Sequence, residues 1–195
     1  MSRTVTGVGV FNKGKYSSKC DGKRTKEYCT WARMIYRCYS EDFIARWPTY
    51  EGCTVSENFK NFQYFAEWCN NQVGFGESNY ELDKDIILKG NKVYDENLCA
   101  FVPKQLNYLL TKSNSSRGAY PIGVSLYKPN GSFRVMLAVS GVNKHLGYFS
   151  TPEEAFLVYK QAKEFNIKLI AEQYKDAIDV RVYDALKNWE VSIND

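Results

Sequence analysis

The chain has 195 residues, of which 44% are hydrophobic and 25% charged, with a net charge of +4 at neutral pH. That length and composition allow one large domain or two small ones with a true core. No apolar run approaches the roughly 20 residues that span a bilayer, and MSRTVTGVGVFNKGKYSSKC lacks the apolar block of a secretory signal, so a soluble, cytoplasmic protein without a membrane partner is expected.

Residues 1–28 carry seven Lys or Arg against Asp21 and Glu27, with many Gly and Ser and little periodicity. They read as a basic N-terminal arm, loose or weakly stranded. A helix is predicted from Thr30 as N-cap, where TWARMIYRCYS puts Trp31, Met34, Ile35 and Cys38 on one face and Arg33 and Arg37 on another. Pro48 and Gly52 break it, and CTVSE reads as a short strand. Ser56 caps a second predicted helix, ENFKNFQYFAEWCNN, with Phe59, Phe62, Ala66 and Cys69 at helical spacing. YELDKDII and NKVY read as short strands joined by a tight turn at LKGN. DENLC, opened by Asp95 as N-cap, is predicted as a one- or two-turn helix ended by AFVP, and KQLNYLLTK as another short helix.

SNSSRGAYP is the best linker candidate. Three strands follow, IGVSLYK, SFRVMLAVS and KHLGYFS, with turns at Pro129-Asn130-Gly131 and Gly141-Val142-Asn143. Thr151, Pro152 and Glu154 then form a capping box with proline at the first helical position. Phe156, Tyr159, Ala162, Phe165 and Leu169 make the stripe expected to lie on the sheet. DVRVYDALKNW reads as a separate short helix. The fold class is α+β.

The six cysteines form no C-x-x-C pair, which counts against structural zinc and for small buried hydrophobes. Residues 111–150 hold five basic residues and no acidic one, which points to a polyanion partner. Alternation along SFRVMLAVS puts Phe133, Val135, Leu137 and Val139 inward. Arg134, Met136, Ala138 and Ser140 face outward, joined by Ser125, Tyr127, Asn143 and His145. Such a face suits a DNA major groove. Lys112, Arg117, Lys128 and Lys144 at its margins suit phosphates.

IGVSLYKPNGSFRVMLAVSGVNKHLGYFSTPEEAFLVYKQA resembles the plant ethylene-response-factor (Apetala-two) DNA-binding domain. The resemblance spans about residues 117–175. It implies duplex contacts from Ile122, Ser125, Tyr127, Met136, Ala138, Asn143, His145 and Tyr148. Most of that family's arginines are absent, and Arg134 lies on the same face.

Upstream, LDKD and DENLCAFVPKQLN stand where phage-type HNH homing endonucleases carry V-D-H-I-D and P-E-N-L-R-W-V-T-x-x-x-N. Those enzymes can carry a C-terminal Apetala-two-like domain, so the module order agrees, and the resemblance covers most of residues 28–175. It implies a ββα-metal module over 29–112 and a DNA-binding domain with C-terminal helices over 113–195. It also implies one Mg²⁺ or Mn²⁺ held by Asp83 and Asn97, with Asn91 as the orienting amide. Lys84 replaces the motif histidine, and three roles stay open for it: a true base, a charge stabiliser, or the mark of a decayed centre. Two functions follow. One is metal-dependent hydrolysis of phosphodiesters in double-stranded DNA, in a bacterial host cell if the gene is phage-borne. The other is non-catalytic DNA binding or nuclease inhibition. No oligomeric state follows from the sequence.

Overall fold

Thr25, five residues before Thr30, begins the first helix. Its hydroxyl accepts from the Tyr28 N–H at 3.4 Å and donates to the Ser17 carbonyl. Helix α1, Lys26–Tyr39, buries Trp31, Met34, Ile35 and Cys38 as the 3.6-residue period requires. The computed structural model describes residues 3–111 and 119–195. The chain divides into two units, Met1–Asn107 with Ala177–Val182, and Tyr108–Asp176 with Tyr183–Asp195.

In the first unit the N-terminal residues take the weakly stranded form of the two expected, and they are docked. β1 (Arg3–Val5) and β2 (Gly9–Phe11) form one antiparallel hairpin, and β3 (Lys19–Cys20) and β4 (Lys23–Arg24) another. Val5, Phe11 and Tyr16 pack on the aromatic core around Trp31, Phe59, Phe62 and Phe65. Gln63 ties the segment down, donating to the carbonyls of Asn12 and Tyr16 and accepting from the Tyr16 N–H. Apolar residues interleaved with lysines hid this docking from a reading by charge.

Helix α2 is Glu41–Arg46, and β5 is Thr54–Val55. The predicted long helix from Ser56 is two helices, α3 (Glu57–Lys60) and α4 (Phe62–Asn70). Asn61 breaks it: its side-chain oxygen accepts from the N–H groups of Gln63 and Tyr64 and restarts the helix as a cap.

β6 is Tyr80–Asp83 and β7 is Val93–Tyr94. They do not pair with each other. β7 pairs parallel with β5, and β6 pairs antiparallel with β8, Ala100–Pro103. AFVP is therefore a strand, buried at all four positions, and not a helix end. DENLC is a turn, with Asp95 Oδ1 accepting from the Asn97 and Leu98 N–H groups. Helix α5, Lys104–Leu110, follows β8 directly.

In the second unit β9 (Val124–Tyr127), β10 (Ser132–Val139) and β11 (Val142–Phe149) form an antiparallel sheet with β10 central. The second hairpin turns at Ser140-Gly141, both with positive φ (51° and 79°), one residue earlier than expected. Val139 then pairs with Val142. Helix α6, Pro152–Tyr174, is capped by Thr151, whose hydroxyl accepts from the Glu154 N–H at 3.2 Å. Its buried positions include Phe156, Tyr159, Ile167, Ile170 and Ala171, whereas Phe165 and Leu169 are exposed. The predicted stripe advanced mostly by threes and drifted around the helix, while the real one follows 3.6. Helix α7 is Val180–Lys187. No helix among the described residues is long and apolar enough to cross a membrane.

Gly123 seats the sheet on α6. Its φ is +79°, and a Cβ there would lie 2.0 Å from the Tyr159 ring. Gly123→Ala should cost about 2–4 kcal/mol from backbone strain and overpacking. The check is a fall of several degrees in the thermal midpoint.

Candidate active site and sheet face

Asp83 ends β6 and immediately turns the chain. Its Oδ1 accepts from the backbone N–H groups of Asp85 (2.9 Å) and Ile86 (2.7 Å). The turn sends Ile86 into the interior and leaves Asp83 half-buried. Burial first, and then the Asp85 charge, push the Asp83 carboxyl up to about 6, against the opposing pull of the two N–H groups and Lys84.

Lys84 lies in the same turn with only 11% of its side chain exposed. Its Nζ donates to Asp85 Oδ2 and to the Asn91 carbonyl, both at 3.0 Å. Burial pushes the ammonium down, but the charge and hydrogen bond of Asp85 outweigh it and hold Lys84 above its ordinary value. Of the three roles open for this residue, that of a base is therefore disfavoured at neutral pH.

Asn91 braces the loop. Its Nδ2 donates to the carbonyls of Lys84 (2.6 Å) and Val93 (2.7 Å), and its Oδ1 accepts from the Val93 N–H (3.0 Å). Asn91 and Lys84, the residue in the motif histidine's place, are thus bonded to each other twice, each through the other's backbone carbonyl.

Asn97 sits differently from expectation. It is exposed in the Asp95 turn, off any helix, and its carbonyl accepts from Arg181 Nη1 at 2.8 Å. Arg181, held bidentate by Asp179, also reaches the carbonyls of Glu96 and Cys99 at 3.4 Å, so this turn is pinned through its backbone. The asparagine on the helix after the second strand is Asn107, in α5. It lines a crevice of about 280 Å³ together with Asp83, Lys84, Asp85, Arg37 and Tyr94. Asn97 is not among the lining residues. The signal was in the chain, since DENLCAFVPKQLN holds both asparagines. Only the helix boundary at Lys104 decides between them.

No group of three His, Cys, Asp or Glu among the described residues is arranged to hold a metal. Mg²⁺ needs less, often one or two carboxylates with water and substrate phosphate completing the shell. Asp83, Asp85 and Asn107 all line this crevice. Their side chains carry oxygens of the kind a hard divalent cation takes. Cys38, Cys53, Cys69 and Cys99 are buried and unpaired in the first core, and burial pushes the Cys38 thiol up to about 12.

The open sheet face carries Ser125, Tyr127, Arg134, Met136, Ala138, Asn143, His145 and Tyr148. Across β10, Arg134 pairs with Ser125 and Tyr148, Met136 with His145, and Ala138 with Asn143. The other side, with Val124, Val135 and Leu137, is core. A bulge between Val135 and Met136, next to Gly147 (φ +139°), lets both His145 and Tyr148 face outward. Tyr148 stacks on Tyr127 at 4.8 Å and on His145 at 4.6 Å. Arg134 Nε is buried with no hydrogen-bond partner. Lys128 is exposed in the first turn. Lys144 is exposed but pairs with Leu137, on the opposite side of the sheet from His145. Ile122 packs on the core instead of facing out. Lys112 and Arg117 lie outside the described residues.

No family model, curated protein or solved structure matches the chain.

The Asp83 shift has a stability consequence. Its folded value, about 6, lies above its ordinary 3.8, so folding favours the protonated form. Ionised Asp83 therefore weakens the fold progressively as pH rises from about 4 to above 6. Asp83→Asn keeps the acceptor for both N–H groups and removes the charge. In EDTA it should raise stability at pH 8 by about 3 kcal/mol, with the gain vanishing below pH 4, as read by urea denaturation at each pH.

Proposed function

We propose that the chain is a metal-dependent endonuclease of double-stranded DNA, of the HNH homing-endonuclease type. In this reading the first unit hydrolyses a phosphodiester and the open sheet of the second grips the duplex. The observation that carries it is the crevice where Asp83, Lys84 and Asp85 meet Asn107. Asp83 ends β6, Lys84 and Asp85 open the loop after it, and Asn107 lies on the helix that follows β8.

Asp83, Asp85 and Asn107 would hold one Mg²⁺ or Mn²⁺. When bound, the ion would stabilise charge on the scissile phosphate and the leaving 3′ oxygen. Lys84 stays an ammonium, supplying fixed positive charge at the crevice wall and abstracting no proton. Asn91 holds Lys84 by its backbone so that the charge does not wander. Absence of a positioned base removes roughly 10²–10⁴ in rate, so cleavage should be slow. On the sheet, Arg134, Met136, Asn143 and His145 would meet base edges, and Ser125, Tyr127 and Tyr148 would contact the backbone and groove walls.

Supercoiled plasmid with Mg²⁺ or Mn²⁺ tests the catalytic half. Wild type should convert it slowly to nicked or linear forms, with at least a hundredfold loss in Asp83→Asn, a variant expected to be the more stable protein. A second reading, non-catalytic DNA binding, is favoured by the ion pair of Lys84 with Asp85. It wins if wild type and Asp83→Asn leave the plasmid equally intact while duplex binding persists. Arg134→Ala should weaken duplex binding about tenfold with an unchanged circular dichroism spectrum. Equal affinity at moderate salt would remove the sheet face from the interface.

A further inference from the structure

Helix α1 turns its second face on a crevice of about 270 Å³ lined by Lys26, Arg33, Arg37, Tyr80, Phe101 and Lys104, among others. It adjoins the Asp83 crevice, and the two share Arg37, Glu81, Leu82 and Tyr94 as lining residues. Arg33 and Arg37 are four residues apart, and like charges at that spacing repel and destabilise a helix. Among the described residues neither has a carboxylate within ion-pair distance. Arg37 instead lies over the Tyr50 ring at 5.7 Å, which stiffens it without neutralising it. Glu77 and Glu81 also line this crevice. The Glu81 carboxylate is met by Lys104 at 3.6 Å, and Lys26 donates to the Glu77 backbone carbonyl at 2.8 Å. Four basic residues thus face two acids along a groove that runs up to Asp83.

We propose that Arg33 and Arg37 are a phosphate clamp, binding successive backbone phosphates of one DNA strand and leading it into the Asp83 crevice. The proposal rests on the DNA reading of that crevice, and it assigns binding to a part of the first unit that carries none of the motif residues. Guanidinium groups suit this task because their planar fork meets phosphate oxygens in pairs. The clamp is sequence-blind and acts through charge. Arg33 and Arg37 are thus positioning residues, acting on the substrate remote from the reacting bond.

The test is duplex binding by the full chain in EDTA, read by fluorescence anisotropy between 50 and 200 mM salt. Each phosphate contact contributes about 0.9 to the slope of log affinity against log salt. The double variant Arg33→Gln/Arg37→Gln should lower that slope by about 2 and weaken low-salt binding at least tenfold. Arg33→Lys/Arg37→Lys should restore the slope with part of the affinity. Thermal denaturation of both variants shows whether the fold is kept. Side-chain N–H resonances of Arg33 and Arg37 should also shift on adding duplex to the wild-type protein. An unchanged slope together with unmoved resonances overturns the clamp, even if the protein nicks plasmid. A lowered slope in a protein that never nicks sustains the clamp and removes the endonuclease reading.

Discussion

One carboxylate oxygen organises the first unit. Asp83 Oδ1 holds the N–H groups of Asp85 and Ile86, and so ends β6, buries Ile86 and turns Lys84 and Asp85 onto the crevice wall. A side chain that bonds its own backbone two and three residues on is a turn device. Here the same atom belongs to a half-buried acid beside a second acid. The backbone bonds oppose the cost of burying that charge but do not cancel it. Structure and chemistry therefore compete at one residue, a common condition at functional sites.

One asparagine and one arginine fix the loop that follows this turn. Asn91 spans Lys84 and Val93 with three hydrogen bonds, closing the loop at its base. Arg181, distant in sequence, returns to hold the carbonyls of residues 96, 97 and 99. Loop 84–99 contains little regular structure, so its shape is set by these side-chain bonds and by the short parallel pairing of β7 with β5. The open sheet of the second unit is built on the opposite principle. There a regular ladder with one bulge sets the side-chain pattern, and Gly123 lets the Tyr159 ring approach.

Much of the second unit was legible in the chain. Period-2 alternation needs only local backbone geometry, so the placement of Arg134, Met136, Ala138, Asn143 and His145 on one face followed directly. The capping box at Thr151 is equally local. Errors arose where the outcome depended on distant partners. AFVP became a strand because Tyr80–Asp83 was available to pair with it. Residues 1–28 docked because Gln63 and the aromatic core supplied partners that charge counting cannot see. Asn97 and Asn107 both lie in DENLCAFVPKQLN, and the start of α5 left only the second lining the crevice with Asp83.

The sequence alone determined the residue types: a hard-oxygen, histidine-free stretch around Asp83, an acid-free basic segment, and a sheet with one polar face. These follow from composition and from periods of two and 3.6 residues, which the backbone imposes everywhere. Only the tertiary structure decided that Lys84 is locked to Asp85 and to the Asn91 carbonyl, that Asn107 shares the crevice, and that Arg33 and Arg37 line the adjoining one. Those depend on burial and on contacts between segments far apart in the chain, and local propensity carries no information about either.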